Sequence, residues 1–157
     1  MIHKASQDDI PVISLIAKLS MEDAYKDILR PEVQASFLQD YYNKDRVGEF
    51  IEHNDVYIID NDEGFNVGFL SVQRNLNECE IIALYILPKY QNQGLGSKLL
   101  QFAIAQHTHC TLFIDIESRN IPSQKFYAKH GFVLSESFPI ELYGQPLKIT
   151  RLHLKGH

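Results

Sequence analysis

The chain has 157 residues and a formal net charge of −5. This length fits one compact domain, which can bury enough surface to fold without metals or disulfides. The acidic balance argues against nucleic acid as a partner, because a phosphate backbone favours a basic protein face, and it is compatible with a cationic substrate.

Residues 1–9 have no apolar core of the kind found in a signal peptide. Nor is any run long and apolar enough to cross a membrane. We therefore expect a cytoplasmic protein with no membrane partner. The chain has two cysteines, Cys79 and Cys110, too few for a disulfide scaffold. We interpret both as small, buried or half-buried side chains at the starts of strands.

The first third of the chain is predicted to be mostly helical. Residues 2–5 can pair as an edge strand, and apolar residues then recur at helical spacing as far as Leu29. Pro31 breaks that pattern. A second helical pattern covers residues 32–53, with a break near Asn43.

Aromatic residues are frequent in these helices. Tyr41 and Tyr42 lie in the second one, and Tyr25 precedes it. One interpretation is that these rings pack under a sheet. The other is that Tyr25, Tyr41 or Tyr42 lines a substrate pocket.

The remaining two thirds of the chain combine strands and helices. The segment 80–87 is apolar on both faces, which is typical of a strand in the middle of a covered sheet. In chain order, the predicted elements are strands at 56–59, 67–72 and 80–87, a helix at 94–107, a strand at 111–117, a helix at 122–130 closed by Gly131, and strands at 132–134 and 147–154 around a turn at 143–146. This order predicts an α/β (mixed α+β) fold, with helices on both faces of a mixed sheet.

The most informative stretch is the turn Gln91-Asn92-Gln93-Gly94-Leu95-Gly96, which follows an apolar strand and opens a helix. The first amides of a helix have no internal partner, and the aligned peptide dipoles add partial positive charge. Two glycines let a bulky anion approach those amides without meeting a Cβ atom. The pattern favours a phosphate or pyrophosphate site, although a glycine-opened helix without a ligand remains the alternative.

The segment Gln91-x-x-Gly94-x-Gly96 resembles the acetyl-CoA motif of the GNAT superfamily of N-acetyltransferases. Asn120, Phe126-Tyr127 and Gly131-Phe132 resemble the second half of the same pattern, in the family's order and spacing. The clear resemblance covers about residues 56–135.

A narrower similarity is to the PaiA-like group of spermidine/spermine acetyltransferases. It lies in Glu80 to Ser97 and in the early segments Ala24-Tyr25, Pro31-Glu32 and Phe37-Leu38. Glu117-Ser118-Arg119, just before Asn120, departs from the usual pattern of that group, and the similarity thins after Phe138.

The resemblance implies a seven-stranded mixed sheet that splays open between its fourth and fifth strands, residues 80–87 and 111–117. The pantetheine arm of acetyl-CoA would lie in the splay, with its pyrophosphate on the glycine turn. The implied cofactor contacts are the backbone of Tyr85, Ile86 and Leu87, the turn and helix residues Gln91, Gln93, Gly94, Leu95, Gly96, Ser97 and Lys98, and the side chains of Asn120 and Lys129.

Acetyl transfer to an alkyl amine requires removal of a proton from the amine. Glu80 is the first candidate for the base and Asp115 the second, although either can be a solvated carboxylate at a strand end. The backbone N–H of Ile86 is a candidate donor to the oxyanion. The resemblance assigns protonation of the leaving thiolate to Tyr127; the alternative is that Tyr127 only packs on the cofactor.

The implied function is acetyl-CoA-dependent transfer of acetyl to a primary amine of a small molecule, with a polyamine as one candidate. A peptide or protein N-terminal acetyltransferase and a non-catalytic acyl-CoA-binding sensor are the alternatives, and a homodimer is left open. No metal is expected, because His107 and His109 have no suitably spaced ligand apart from Cys110. We place both histidines at an exposed helix end, where an imidazolium suits the dipole.

Overall fold

The structure is a computed structural model, and it describes residues 1–155. Its strands form one sheet in the order β1-β2-β3-β4-β5-β7-β6. The elements are β1 (Ile2–Lys4), α1 (Ile10–Ala24), α2 (Pro31–Tyr41), α3 (Lys44–His53), β2 (Asp55–Asp60), β3 (Asn66–Arg74), β4 (Glu78–Ile86), α4 (Leu95–Gln106), β5 (Thr111–Glu117), α5 (Ile121–Lys129), β6 (Val133–Leu142) and β7 (Gln145–Leu154). The predicted mixed sheet of seven strands is confirmed.

The two faces of the sheet carry separate apolar clusters. On one face, Leu99 and Leu100 of α4 and Tyr127 of α5 pack against strand residues such as Leu70 and Ile114. The other face is covered by α1 and α3 through a second cluster of buried residues, which includes Ile13, Ile16, Val47, Ile58 and Phe69. Burial on both faces explains why β4 has the continuous apolar sequence of an internal strand.

The parallel pair β4–β5 is joined over a short length. The Cα partners are Glu78 with Thr111, Cys79 with Leu112 and Glu80 with Phe113. Beyond Glu80, β4 continues along β3, and β5 continues along β7. The two strands therefore separate and leave a gap, as the predicted splay requires.

A register shift bends β4 just after that point. Ser71 pairs with Ala83, but the neighbouring Val72 pairs with Ile81, so Ile82 is an extra residue in β4. Such a bulge kinks its strand and interrupts the ladder locally. It lies where β4 leaves β5 and so contributes to the opening.

The helical first third of the chain differs from the sequence-based expectation in one place. Helix α1 ends at Ala24 rather than continuing to Leu29, and Pro31 does not break it but begins α2, where its missing N–H is not needed. The predicted break near Asn43 is confirmed, because the Asn43 side chain caps α3 by accepting a hydrogen bond from the Arg46 amide at 2.9 Å.

The last hairpin is longer than predicted, with β6 reaching Leu142 rather than ending at residue 134. Its polar sequence and Pro139 do not read as an internal strand. β6 is the outer strand of the sheet and is mostly exposed, and an edge strand tolerates both polar residues and proline. Among residues 1–155, no helix has the length and apolar character needed to span a bilayer.

Gly68 tests the packing that holds the end of β4. A Cβ atom at this position would lie 2.3 Å from Ile86 Cδ1 and 2.8 Å from the carbonyl oxygen of Tyr85. Because a backbone atom cannot step aside, we expect Gly68→Ala to lower the free energy of unfolding by about 1–3 kcal/mol, measured by urea denaturation.

Gly48→Ala is the matched control. Gly48 lies inside α3, where a Cβ atom would meet only side-chain atoms, with Gln7 Oε1 the nearest at 3.0 Å. Alanine favours a helix interior over glycine, so we expect no loss of stability. Equal stability of the Gly68→Ala variant and the wild type would contradict this account of β3–β4 packing.

Candidate active site

The N-terminus of α4 is not capped by a side chain. Gly94 occupies the N-cap position with φ of 79°, a left-handed conformation that glycine adopts without strain. The first intrahelical bond runs from the Lys98 amide to the Gly94 carbonyl at 3.1 Å. The amides of Leu95, Gly96 and Ser97 therefore have no partner in the helix and are free to bind an anion.

This helix end lies against the end of β4 and against α5. A Cβ atom on Gly96 would be 3.6 Å from the Phe126 ring and 3.8 Å from Ile86 Cγ1. The Gln91 side chain ties the turn to the same strand, because its Nε2 donates to the Ile86 carbonyl at 2.9 Å. The free amides are thus placed beside the gap between β4 and β5.

Along the end of β4, the backbone N–H and C=O groups point alternately towards β3 and towards the gap. The Leu87 amide donates to the Val67 carbonyl at 2.8 Å, and Gly68 lies opposite Ile86. Successive residues of an antiparallel ladder point their backbone groups to opposite sides, so the Ile86 N–H faces the gap whereas the backbone groups of Tyr85 face β3. Of the three backbone positions expected to pair with pantetheine, Ile86 is the one whose N–H is directed there.

Asn120 connects three parts of the site. It is the N-cap of α5, where its Oδ1 accepts from the Ser123 amide at 3.3 Å. Its Nδ2 donates to the Tyr25 hydroxyl at 3.1 Å. Both ends of the amide group are therefore engaged, and the bond to Tyr25 holds the loop after α1 against the start of α5.

Glu117 anchors the end of β5. Its carboxylate accepts bonds from the Arg119 side chain at 2.8 Å and from the amides of Arg119 and Lys148 at 3.0 Å. Burial acts to raise the pKa of Glu117, but these bonds outweigh it and the pKa is lowered. The sequence signal for Glu117 was only its place beside Asn120.

Several tyrosines influence one another's pKa near the opening of the gap. Burial raises the pKa of Tyr127, with a smaller contribution from Tyr25. Burial also raises the pKa of Tyr85, to which Tyr42, Tyr25 and Tyr127 add. No side chain within residues 1–155 forms a hydrogen bond with the Tyr127 hydroxyl, so this buried phenol has an unused donor.

The two candidate carboxylates lie on the face opposite α4 and differ in their surroundings. Asp115 forms a two-bond ion pair with Arg151, at 2.7 and 2.9 Å. Glu80 is half-buried and has no such partner among the described residues. Burial raises the pKa of Glu80, Asp115 raises it further, and Arg151 opposes both.

The remaining candidate residues are more dispersed. Tyr42 is buried in the cluster under α1 and α3, and Tyr41 is exposed, with the Arg46 guanidinium 5.4 Å from its ring centre. Tyr25 is the one of the three predicted substrate residues that contacts Asn120. Gln93, Lys98 and Lys129 are exposed around the free end of α4 and the end of α5.

Sequence reasoning did not find the pair Ser97 and His130. The Ser97 hydroxyl lies 3.0 Å from His130 Nε2, and the imidazole packs 5.0 Å from the Phe126 ring. Burial, and then the charge of Lys129, lowers the pKa of His130, so the ring is neutral at neutral pH. No spacing rule links residues 97 and 130 in the sequence.

The placement of His107 was wrong. It is buried, with Nδ1 2.7 Å from the Ala103 carbonyl and Nε2 2.8 Å from Asp55 Oδ2. The ring turns inward from the end of α4 because a carboxylate is available there. His109 is exposed, and both cysteines are buried and free, as expected.

Comparison with known proteins places this geometry in a family. The sequence model described as "Acetyltransferase (GNAT) family" matches residues 18–132. The spermidine N(1)-acetyltransferase of Thermoplasma acidophilum is 23% identical over 146 residues, which cover 87% of this chain and 89% of that protein. An uncharacterized N-acetyltransferase of Lactobacillus delbrueckii subsp. lactis is 25% identical over 142 residues, 83% of this chain and 82% of that protein.

Solved structures show the same fold. A crystal structure of the PaiA N-acetyltransferase from Thermoplasma acidophilum, in complex with coenzyme A, superposes with a TM-score of 0.83 at 21% identity and covers 99% of this chain and 98% of that one. The family match extends over most of the chain, from α1 to the end of α5. The chain therefore belongs to the acetyltransferase (GNAT) family, and it is an N-acyltransferase that uses acetyl-CoA as donor.

Proposed function

We propose that the chain transfers acetyl directly from acetyl-CoA to a primary amine of a small cationic molecule, with polyamines as the leading class. The observation that carries the proposal is the gap between β4 and β5. It has the uncapped α4 terminus at one side, the outward-facing Ile86 N–H on its wall and carboxylates on the face opposite α4. The α4 terminus and the Ile86 N–H suit the acetyl donor, and the carboxylates suit an amine.

The donor would lie along the gap as an added strand. The pantetheine arm would run along the open edge of β4, and the amides of Leu95, Gly96 and Ser97 would hold the pyrophosphate. Lys98 on α4 and Lys129 on α5 are exposed and would pair with the remaining phosphate charge. His130 would fix the orientation of the Ser97 hydroxyl.

Glu80 is the better placed of the two bases. A base must accept a proton, and Asp115 already shares its charge with Arg151 in a two-bond pair. The raised pKa of Glu80 lies nearer to neutral pH than that of an ordinary carboxyl group, which suits general-base catalysis. Glu80 and Ile86 are six residues apart on the extended β4, so the proton would pass from the ammonium to Glu80 through bridging water. The free amine would then attack the thioester carbon.

The Ile86 N–H is directed to stabilise the oxyanion that forms in this step. The carbon–sulfur bond then breaks, and the thiolate of coenzyme A leaves. Tyr127 would donate its unused hydroxyl proton to the sulfur. Because burial raises its pKa, the phenol is protonated at neutral pH but is a weaker acid than an exposed tyrosine. At a minimum, the Tyr127 hydroxyl would donate a hydrogen bond to the leaving thiolate.

The proposal of a cationic acceptor rests on the negative charge of the protein. The chain carries a net charge of −5, and Glu80, Asp115 and Glu136 lie around Arg151. This surplus of carboxylates would favour a small cation. Transfer to a peptide or protein N-terminus is the second enzymatic candidate, and Tyr41 would then lie on the surface that receives the larger substrate.

Release of free thiol from acetyl-CoA tests the proposal across a panel of polyamines, amino acids, aminoglycosides and peptides. Turnover with polyamines in preference to peptides is the expected result. Preference for peptides would show that the acceptor is a peptide or protein and not a polyamine. Tight binding of acetyl-CoA without turnover of any amine would support the non-catalytic sensor and contradict both enzymatic candidates.

Tyr127→Phe removes the hydroxyl and leaves the packing of the ring. Since the hydroxyl has no partner within residues 1–155, the variant should fold normally. We expect kcat to fall about 10²-fold or more while the Kd for acetyl-CoA stays nearly constant, measured by thiol release and calorimetry. Tyr57→Phe, in β2 with its ring packed against Phe102 of α4, is the control. An unchanged kcat would remove the acid role.

Glu80→Gln should lower kcat/KM about 10²- to 10⁴-fold at neutral pH. A base works only when deprotonated, so wild-type kcat/KM should rise with pH through an apparent pKa above that of an ordinary carboxyl group. This acidic limb should disappear in the variant. Glu78→Gln, at the exposed start of the same strand, should keep it. A limb that survives in Glu80→Gln and is lost in Asp115→Asn would assign the base to Asp115.

A further inference from the structure

Three side chains that bind soft metals meet at the paired end of β4 and β5. They are Cys79, His109 and Cys110, and their ligand atoms lie within 4.8 Å of one another. Cys79 is the second residue of β4, whereas His109 and Cys110 form the turn before β5. The sequence separates Cys79 from the other two by about 30 residues, which is why no ligand spacing was recognised.

The backbone around these residues is fixed by hydrogen bonds. The Thr111 amide donates to the Asn77 carbonyl at 2.9 Å, which joins the turn to the start of β4. Glu78 pairs with Thr111 across the two strands. On the other side of the turn, the buried His107 is held by Asp55 and by the Ala103 carbonyl. The three side chains therefore extend from anchored segments, as a preorganised site requires.

His109 differs from the nearby His107 in one respect that matters for metal binding. Both ring nitrogens of His107 already have partners. In the part of the chain that the structure describes, the ring nitrogens of His109 have no hydrogen-bond partner, and the residue is exposed. A free imidazole next to two buried sulfurs gives an ion both a third ligand and a route from solvent.

We propose that Cys79, His109 and Cys110 bind one zinc ion. Two thiolates and an imidazole are ligands that zinc prefers and that magnesium and calcium avoid. With Zn–S near 2.3 Å and Zn–N near 2.0–2.1 Å, tetrahedral ligands are about 3.4–3.8 Å apart. Small side-chain rotations would shorten the present separations of up to 4.8 Å to this range. Water would fill the fourth position, on the exposed side of His109.

Cys79 is next to Glu80 in β4, but successive side chains of a strand point to opposite faces, so the zinc site lies in the cluster under α4 and away from the Glu80 carboxylate. It lies where β4 and β5 are still paired, before the strands diverge after Glu80. A zinc ion here would link the turn after α4 to the start of β4, and two thiolates would neutralise its charge. The role of the metal is thus to clamp the closed end of the strand pair, and its binding can be measured without any assay of acetyl transfer.

Cobalt is a suitable probe, because it takes tetrahedral zinc sites and thiolate ligation gives it a charge-transfer absorption. In fully reduced protein we expect one Co²⁺ per chain with that absorption, and displacement by Zn²⁺. The absorption should be lost in Cys79→Ala and in Cys110→Ala and weakened in His109→Ala. His53→Ala, at the exposed end of α3, is the matched control and should bind as the wild type does.

Two measurements on the wild-type chain protect the test against misfolded variants. Zn²⁺ at about 100 times its Kd should raise Tm by about 5–10 °C, and it should slow alkylation of both cysteines under native conditions. The proposal is overturned if reduced wild-type protein binds no Co²⁺ with thiolate absorption. It is also overturned if that absorption persists in a folded Cys110→Ala variant.

Discussion

The structure depends on the parallel pairing of β4 and β5 being short. β4 and β5 share three register positions and then part, and the backbone of the rest of β4 on that side is left without a neighbouring strand. An unpaired internal strand edge is costly in a protein interior unless something satisfies it. Gln91 and Ser20 already donate to the carbonyl of Ile86, and the Ile86 N–H is left for a ligand that behaves like a strand.

The other parts of the site follow from this opening. The bulge at Ile82 turns β4 away from β5, and the left-handed Gly94 sets the start of α4 beside the end of the strand. α5 closes the same region from the other side, through Phe126 against Gly96. In the proposed binding mode, the donor needs few charged residues, because backbone amides would supply most of the polar contacts. Glu80 would remain available on the opposite face for the acceptor.

Much of this could be predicted from local patterns. Local sequence features mark the glycine turn, the strand β4 with two apolar faces, and the segment from Asn120 to Gly131. The seven-stranded mixed sheet and the family that these features predict were confirmed. The length of β6 and the burial of His107 could not be predicted, since they depend on an edge position and on a distant Asp55. The Ser97–His130 contact and the proximity of Cys79 to Cys110 likewise arise only when separate elements pack together.

The central claim is that coenzyme A lies in the gap with its pyrophosphate on the α4 terminus. Amide NMR of the labelled protein during titration with coenzyme A tests it most directly. We predict the largest shifts at Leu95, Gly96, Ser97 and Ile86, with little change at Thr111 on the closed end of the strand pair. Saturable binding that leaves the amides of Leu95 to Ser97 unshifted would contradict the account.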